Sequence, residues 1–153
     1  FHDVTCLHIL YFSYVRSVLE YASVVWAPFS KIHINSLEKV QRRFLKFLVF
    51  RIDGVYPTRG SSHSTLLTRF GFDDLQTRRI RASLNFLHEL IHFQIDCPYL
   101  LSKLSFSVPR LLSRYHHPFY LPTPRIDIEK HSAILEICSQ YNQHQNTFDI
   151  FRL

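Results

Sequence analysis

Residues 9–50 read ILYFSYVRSVLEYASVVWAPFSKIHINSLEKVQRRFLKFLVF, and this stretch predicts the helical architecture of the chain. Its first part is apolar nearly all round, Pro28 interrupts it, and its second part mixes apolar with basic residues. Proline disfavours helical geometry at the residue before it, so the sequence predicts a helix over 4–26 and a second from about Ser30 to Phe50. In the first helix we expect these positions to pack in a core: Leu7, Leu10, Tyr14, Val18, Tyr21, Ala22 and Val25.

The second helix is predicted to have two faces. Its apolar residues fall in one sector of the helix, and they are Leu37, Val40, Phe44, Phe47 and Leu48. Its basic residues fall on the opposite side, and they are Lys39, Arg42, Arg43 and Lys46. Four cations so close together repel one another unless water, salt or an anionic partner screens them. A solvated surface and an anion-binding surface are both open interpretations of this basic face.

Five segments of the chain resemble a known family when they are taken in order. They are 14–28 (YVRSVLEYASVVWAP), 37–44 (LEKVQRRF), 71–79 (GFDDLQTRR), 95–98 (IDCP) and 122–125 (PTPR). Together they resemble the part of non-LTR retrotransposon reverse transcriptases, in particular of jockey-like LINE elements, that follows the polymerase palm. The resemblance implies the thumb and the segment after it, which grip the template-primer duplex beside the upstream palm and fingers. It also implies that Mg²⁺ belongs to the full-length enzyme.

The positive charge of the chain is concentrated in one third of its length. The formal net charge is +6, and residues 31–81 carry 11 of the 18 basic and 4 of the 12 acidic side chains. Such a concentration favours an anionic partner, for which nucleic acid and acidic membrane surfaces are the common candidates. Charged residues interrupt every long apolar stretch, so we expect neither a membrane span nor a secretion signal. The absence of methionine indicates a piece of a longer protein.

Three cysteines, Cys6, Cys97 and Cys138, are odd in number and far apart in sequence. This spacing offers neither a disulfide framework nor a Cys-x-x-Cys zinc site. We therefore expect buried thiols in a reducing, intracellular compartment.

The adjacent aspartates Asp73 and Asp74 have two interpretations. A pair of aspartates after an aromatic residue is typical of the metal-binding motif of polymerases, where it lies in a hairpin between strands. Here a helical pattern follows, and Asp73 with Gln76 fits a capping box, so the pair is predicted to begin a helix. The chain offers no further carboxylate cluster of the kind that two-metal catalysis needs, so we expect no catalytic residue in it.

Residues 88–92 read HELIH and match the helical zinc motif H-E-x-x-H. In the predicted helix from Leu75 to Phe93 the buried stripe consists of Ile80, Leu84, Leu87 and Ile91. His88 and His92 then lie on its flank with Arg78 and Arg81, which are poor neighbours for a zinc ion and good neighbours for a phosphate. No third ligand follows at a usual spacing, so we expect no metal site and no cofactor.

Turn and capping residues divide the remaining sequence. Residues 51–62, rich in Gly, Pro and Ser, predict a linker, and Ser62 and Gly71 predict the ends of a short helix over 65–70. Asp96 is predicted to cap a helix over 99–104 that has Pro98 in its first turn. Ser132 is predicted to cap a last helix that extends to about Tyr141. The expected inward residues of that helix are Ile134, Ile137, Cys138 and Tyr141.

The proline-rich stretch 105–125 predicts extended segments or a small hairpin rather than a helix. Its residues Tyr115 and Tyr120 could stack on bases, but packing against a helix is the favoured interpretation. We expect the end of the chain, 147–153, to dock through Phe148, Ile150 and Phe151.

These patterns together predict a mainly α protein. A thumb-like helical bundle over 1–60 is followed by an extension over 61–153, with a long helix, an irregular proline-rich tail and a final short helix. The expected function is a non-catalytic grip on an RNA or RNA–DNA duplex, without sequence preference. The expected phosphate-binding residues are Lys39, Arg42, Arg43, Lys46, Arg78, Arg79 and Arg81. The alternatives are a helical protein–protein interaction module with an acidic partner and, third, a metallohydrolase.

Overall fold

The computed structural model describes residues 3–58, 60–108, 117–145 and 149–150. Over these residues the chain is mainly helical, and its β structure is one isolated antiparallel bridge between Phe106 and Phe119, which confirms the predicted fold class. The chain forms two compact units: unit 1 comprises Phe1–Ser23 and Ala27–Arg79, and unit 2 comprises Val24–Trp26 and Ile80–Leu153. This division differs from the predicted one at residue 60, because the segment after the linker packs on the second long helix.

The first region of unit 1 contains a break that the sequence does not predict. Helix α1 (Val4–Leu10) continues into a π-helical turn (Tyr11–Arg16) and α2 (Ser17–Glu20), and α3 (Ser23–Trp26) follows after a break. At the break Ala22 adopts the left-handed conformation with φ 49°. The predicted single helix over 4–26 is therefore wrong. Alanine is the best helix former, so nothing local indicates a break at this position.

Several predicted core positions of this region are exposed. Tyr14, Val18 and Tyr21 are 70–79% exposed, whereas Tyr11 is 1% exposed and Leu7 packs against the core of unit 1. The π-helical turn changes the phase of the side chains, whereas the prediction assumed 3.6 residues per turn throughout. The ring of Tyr11 stacks on Phe44 with 4.0 Å between centroids and 6° between planes.

The second long helix, α4, spans Lys31–Asp53 and confirms the predicted helix after Pro28. It ends at Gly54, whose φ of 70° suits a residue without a side chain. Its buried residues are Gln41, Leu45, Leu48 and Val49. The predicted apolar stripe is thus displaced by roughly a quarter-turn, and Val40 is 36% exposed. Gln41 tolerates burial because its Nε2 donates to the carbonyl oxygen of Asp73 at 2.9 Å.

Two further helices begin in unit 1. Helix α5 (His63–Phe70) follows Ser62 and ends at Gly71 with φ 66°, which confirms the predicted short helix. Helix α6 spans Leu75–Ile91, and Leu75 is fully buried. The core of unit 1 combines α4 and α5 through these buried residues: Leu45, Leu48, Val49 and Leu66.

Unit 2 has its own core. From α6 it includes Leu84 and Leu87, which confirms these two members of the predicted stripe, and also Leu90, which was not predicted. Helix α7 is Pro98–Leu101. Its N-cap residue is Cys97 rather than the predicted Asp96. Helix α8 is Asp127–Lys130 and helix α9 is Ala133–His144. The inward residues of α9 include three of those predicted: Ile137, Cys138 and Tyr141.

The described ends of the proline-rich stretch form the predicted hairpin-like pair. The amide of Ser107 donates to Pro118 O at 2.8 Å, and the amide of Tyr120 donates to Ser105 O at 2.8 Å. Asn142 of α9 holds Phe119 in place, because its side chain accepts from the Phe119 amide at 3.2 Å and donates to the Phe119 carbonyl at 2.9 Å. The predicted roles of Tyr115, Phe148 and Phe151 lie outside the described residues.

The packing predictions for single residues have mixed outcomes in this unit. Phe119 is 1% exposed and Ile150 fully buried, whereas Tyr120 is 60% exposed and does not pack as favoured. Cys138 is buried as predicted, and burial raises the pKa of its thiol to about 11. Cys6 and Cys97 are only half-buried.

Candidate nucleic-acid interface

The basic face of α4 lies along one side of the helix. Lys39 and Arg43 are exposed, and Arg42 and Lys46 are half-buried. The ammonium of Lys46 lies 5.9 Å from the centroid of the Tyr56 ring, within the range of a cation–π contact. None of the four cations forms an ion pair with a carboxylate among the described residues. Their charges are therefore available to an external anion.

Arg78, a predicted phosphate-binding residue, is instead paired within unit 1. Its Nη2 donates to Oε2 of Glu20 at 2.9 Å, and its Nε donates to Oε1 of the same carboxylate. Arg16 Nε donates to this carboxylate as well, at 3.1 Å. Burial raises the pKa of Glu20, but the two guanidinium groups outweigh burial and hold its pKa below the usual value. Arg78 is thus paired with α2 within unit 1, and its predicted contact with a phosphate stays a prediction.

Arg79 is unsuited to contact with an external phosphate. It is 5% exposed, and its Nη2 lies 3.9 Å from Oε1 of Glu38 on α4. Burial lowers the pKa of Arg79, and the Glu38 carboxylate partly offsets this effect. Arg81, the last of the predicted group, is exposed on α6.

Glu38 of α4 contacts residues of α5 and α6, and these contacts were not predicted from the sequence. Its Oε1 accepts a hydrogen bond from the backbone amide of Gln76 at 2.9 Å, in the first turn of α6. Its Oε2 lies 3.4 Å from Nε2 of His63 on α5. Together with Arg79, these contacts connect α4, α5 and α6. The partners are distant in sequence, so no local pattern could have indicated them.

A groove of about 500 Å³ opens beside Glu38. It is lined by Asn35, Glu38, Lys39, Arg42 and His63. Two nitrogen atoms of these residues, Arg42 Nε and His63 Nδ1, are buried and have no hydrogen-bond partner among the described residues. The groove therefore shares Lys39 and Arg42 with the basic face and adds a residue of α5.

The adjacent aspartates begin a helix, although not through the predicted residue. Asp74 precedes α6, and its Oδ2 accepts from the amide of Thr77 at 3.1 Å. This is the contact of an N-cap residue with the third helical residue. The cap is therefore Asp74 with Thr77 rather than Asp73 with Gln76, whose amide is bound by Glu38.

The H-E-x-x-H pattern lies at the end of α6. The rings of His88 and His92 are 4.2 Å apart between centroids, and His92 Nε2 lies 2.8 Å from the carbonyl oxygen of Ile150. Within 3–58, 60–108, 117–145 and 149–150, no group of three or more His, Cys, Asp or Glu side chains could hold a metal ion.

No helix in these ranges has both the length and the apolar character needed to cross a membrane.

The chain was compared with protein families, curated proteins and solved structures. No family, curated protein or solved structure matches it.

Proposed function

We propose that the chain is a non-catalytic helical segment that holds the phosphate backbone of an RNA or RNA–DNA duplex on α4. The observation that carries the proposal is the absence of internal ion pairs at Lys39, Arg42, Arg43 and Lys46 among the described residues. Other arginines of unit 1, such as Arg16, Arg69 and Arg78, are paired with carboxylates. The resemblance to reverse transcriptases points to the same function.

The dimensions of the face suit a nucleic-acid backbone. Lys39 and Lys46 are two helical turns apart, or about 10 Å along α4. In double-stranded DNA successive phosphates of one strand are separated by about 3.4 Å along the duplex axis, so a face parallel to such an axis spans roughly three of them. Backbone contacts fix position without reading sequence. In this proposal the chain holds the duplex, and the Mg²⁺-dependent chemistry belongs to the upstream palm of the enzyme that the chain resembles.

A salt series tests the proposal. If all four cations contact phosphates, the logarithm of the binding constant should fall with the logarithm of salt concentration at a slope of about −3 to −4. Arg43→Glu combined with Lys46→Glu should make this slope shallower by about 2 and weaken binding to all duplex sequences equally. Gel-shift titrations at several salt concentrations measure both quantities.

The matched control changes the net charge by the same amount at positions outside α4. Lys103→Glu with Lys130→Glu replaces two exposed cations of unit 2, outside α4. We expect this variant to keep nearly the slope of the unmodified protein. If both double variants change the slope by the same amount, the attraction depends on net charge alone and the α4 face has no special role.

A protein–protein interaction module remains the second candidate function, and a specific observation favours it. Ile9, Tyr14 and Val18 are 59–74% exposed, and exposed apolar residues that cluster often mark protein interfaces. The upstream palm and fingers of the same polypeptide would be the partner that the resemblance implies. This candidate predicts weak binding to nucleic acid that is insensitive to salt, so the same titrations separate the two functions.

A further inference from the structure

The groove beside α4 differs from an ordinary solvated surface in two buried nitrogen atoms of its lining residues. Arg42 and His63 line it, and Arg42 Nε and His63 Nδ1 are buried without a hydrogen-bond partner among the described residues. Buried polar groups in folded proteins nearly always have partners, and exceptions commonly indicate a ligand, an ion or a bound water. These two residues come from α4 and α5, so the fold brings them to one cavity.

The charges around the groove favour an anion. Glu38 is the carboxylate on its wall, and its two oxygens are already occupied by the Gln76 amide, by His63 and by the nearby Arg79. Arg79 balances the charge of Glu38, because it is the cation closest to that carboxylate and is itself buried. Lys39 and Arg42 are then left as uncompensated cations of the groove.

We propose that this groove is a binding site for a phosphate group of a nucleic acid. Arg42 presents a guanidinium, whose planar arrangement of donors matches a phosphate, and Lys39 adds a second positive charge. His63 lines the opposite wall. A volume of about 500 Å³ lies within the range of small-ligand sites and accommodates a phosphate with its attached sugar. The phosphate binding stands on the groove alone, and only its assignment to nucleic acid rests on the proposed function.

A nucleic acid offers two kinds of phosphate group to such a site. One is an internal phosphodiester, and the other is a terminal phosphate monoester. A backbone that lies along the α4 face passes the groove, because Lys39 and Arg42 belong to both. An internal phosphate would enter the groove as the strand passes. A terminal phosphate would enter when the strand ends there.

The first experiment observes the groove directly. The Nε–H resonance of Arg42 is followed by NMR while inorganic phosphate is added to the unmodified protein, and sodium chloride of equal ionic strength serves as the reference. We expect a saturable shift with phosphate that chloride does not produce. A resonance that does not move, or that moves equally with chloride, would overturn the proposal without any variant.

Two substitutions then identify the contacts. Arg42→Lys keeps the charge and removes Nε, and Lys39→Ala removes the second cation of the groove. Each should weaken phosphate binding about tenfold, as the loss of one hydrogen bond to a charged group does. Arg51→Lys makes the same chemical change at an exposed position of α4 outside the basic face and should leave phosphate binding unchanged. Equal effects of the two Arg→Lys variants would contradict the assignment.

Duplexes with a 5′-phosphate or a 5′-hydroxyl distinguish the two sources. Tighter binding of the phosphorylated duplex that is lost in Arg42→Lys identifies a terminal phosphate. Equal binding of both duplexes that is weakened in Arg42→Lys identifies an internal one. If Arg43→Glu with Lys46→Glu leaves the salt slope unchanged while phosphate still shifts the Nε–H resonance of Arg42, that result contradicts the proposed duplex binding and supports the phosphate site in the groove. If the salt slope changes but phosphate does not shift the Arg42 resonance, the duplex binding is supported and only the phosphate site in the groove is contradicted.

Discussion

The replacement Glu38→Gln tests the contact point between α4, α5 and α6. Gln has the same shape and can still accept from the Gln76 amide, but it removes the carboxylate that is paired with the buried Arg79 guanidinium. Losing one partner of a fully buried ion pair costs about 3–5 kcal/mol. The Glu38 side chain keeps 16% exposure and lies 3.9 Å from Arg79, so we expect a lower cost of about 2 kcal/mol.

The ion pair between Arg69 and Asp53 is the matched control. It has the shorter contacts, with two hydrogen bonds of 2.7 Å, but its side chains are 43% and 38% exposed. Exposed pairs contribute little because water screens them. Asp53→Asn should therefore cost clearly less than Glu38→Gln, although the geometry of its pair is better.

Urea denaturation followed by circular dichroism at 222 nm measures both costs, at low salt and in 1 M NaCl. The effect of Glu38→Gln should persist in salt, since buried charges are screened much less than exposed ones. Arg79→Met added to Glu38→Gln should recover most of the stability, because it removes the stranded charge. If Asp53→Asn costs as much as Glu38→Gln, or if the double variant is less stable than Glu38→Gln alone, burial does not govern these pairs and the reasoning is refuted.

Two further predictions concern the cores. Leu87→Ala and Phe44→Ala should each cost about 2–5 kcal/mol in urea denaturation, because Leu87 is 1% exposed and Phe44 stacks on Tyr11. His88→Ala should cost little, and a larger loss than in the other two would contradict the packing of α6. Burial raises the pKa of Tyr11 to about 12, so its folded-state contribution is complete below pH 10 and is lost as the pH rises toward 12. Relative to Tyr11→Phe, the unmodified protein should be about 1 kcal/mol less stable at pH 11 than at pH 9, and an unchanged difference between these pH values would contradict the raised pKa.

The helix ends show how much of this fold is local. Gly54 and Gly71 adopt φ of 70° and 66° at the ends of α4 and α5, and Ser62 and Ser132 precede α5 and α9 as predicted. Each of these features depends on residues within about one turn of the chain, so a sequence shows them directly. The same holds for the inward face of α9, because its apolar residues recur at helical spacing without interruption.

The phase of the first two helical regions could not be predicted in this way. The π-helical turn at Tyr11–Arg16 and the left-handed Ala22 changed which residues of the first region face inward. In α4, burial of Gln41 shifted the core side by roughly a quarter-turn. A glutamine becomes a core residue only where an acceptor such as Asp73 O is supplied by another segment.

Composition and residue spacing are enough to predict a mainly helical chain whose positive charge is concentrated on residues 31–81. The tertiary structure alone decided which of those cations are available. Arg43 and Arg78 look alike in sequence, since both belong to adjacent arginine pairs on predicted helices. Arg78 is paired with Glu20, which lies 58 residues earlier, whereas Arg43 faces solvent. Charge is a property of the residue, but its neutralisation depends on which carboxylate the fold brings within about 4 Å, and that distance is set by packing between segments far apart in the chain.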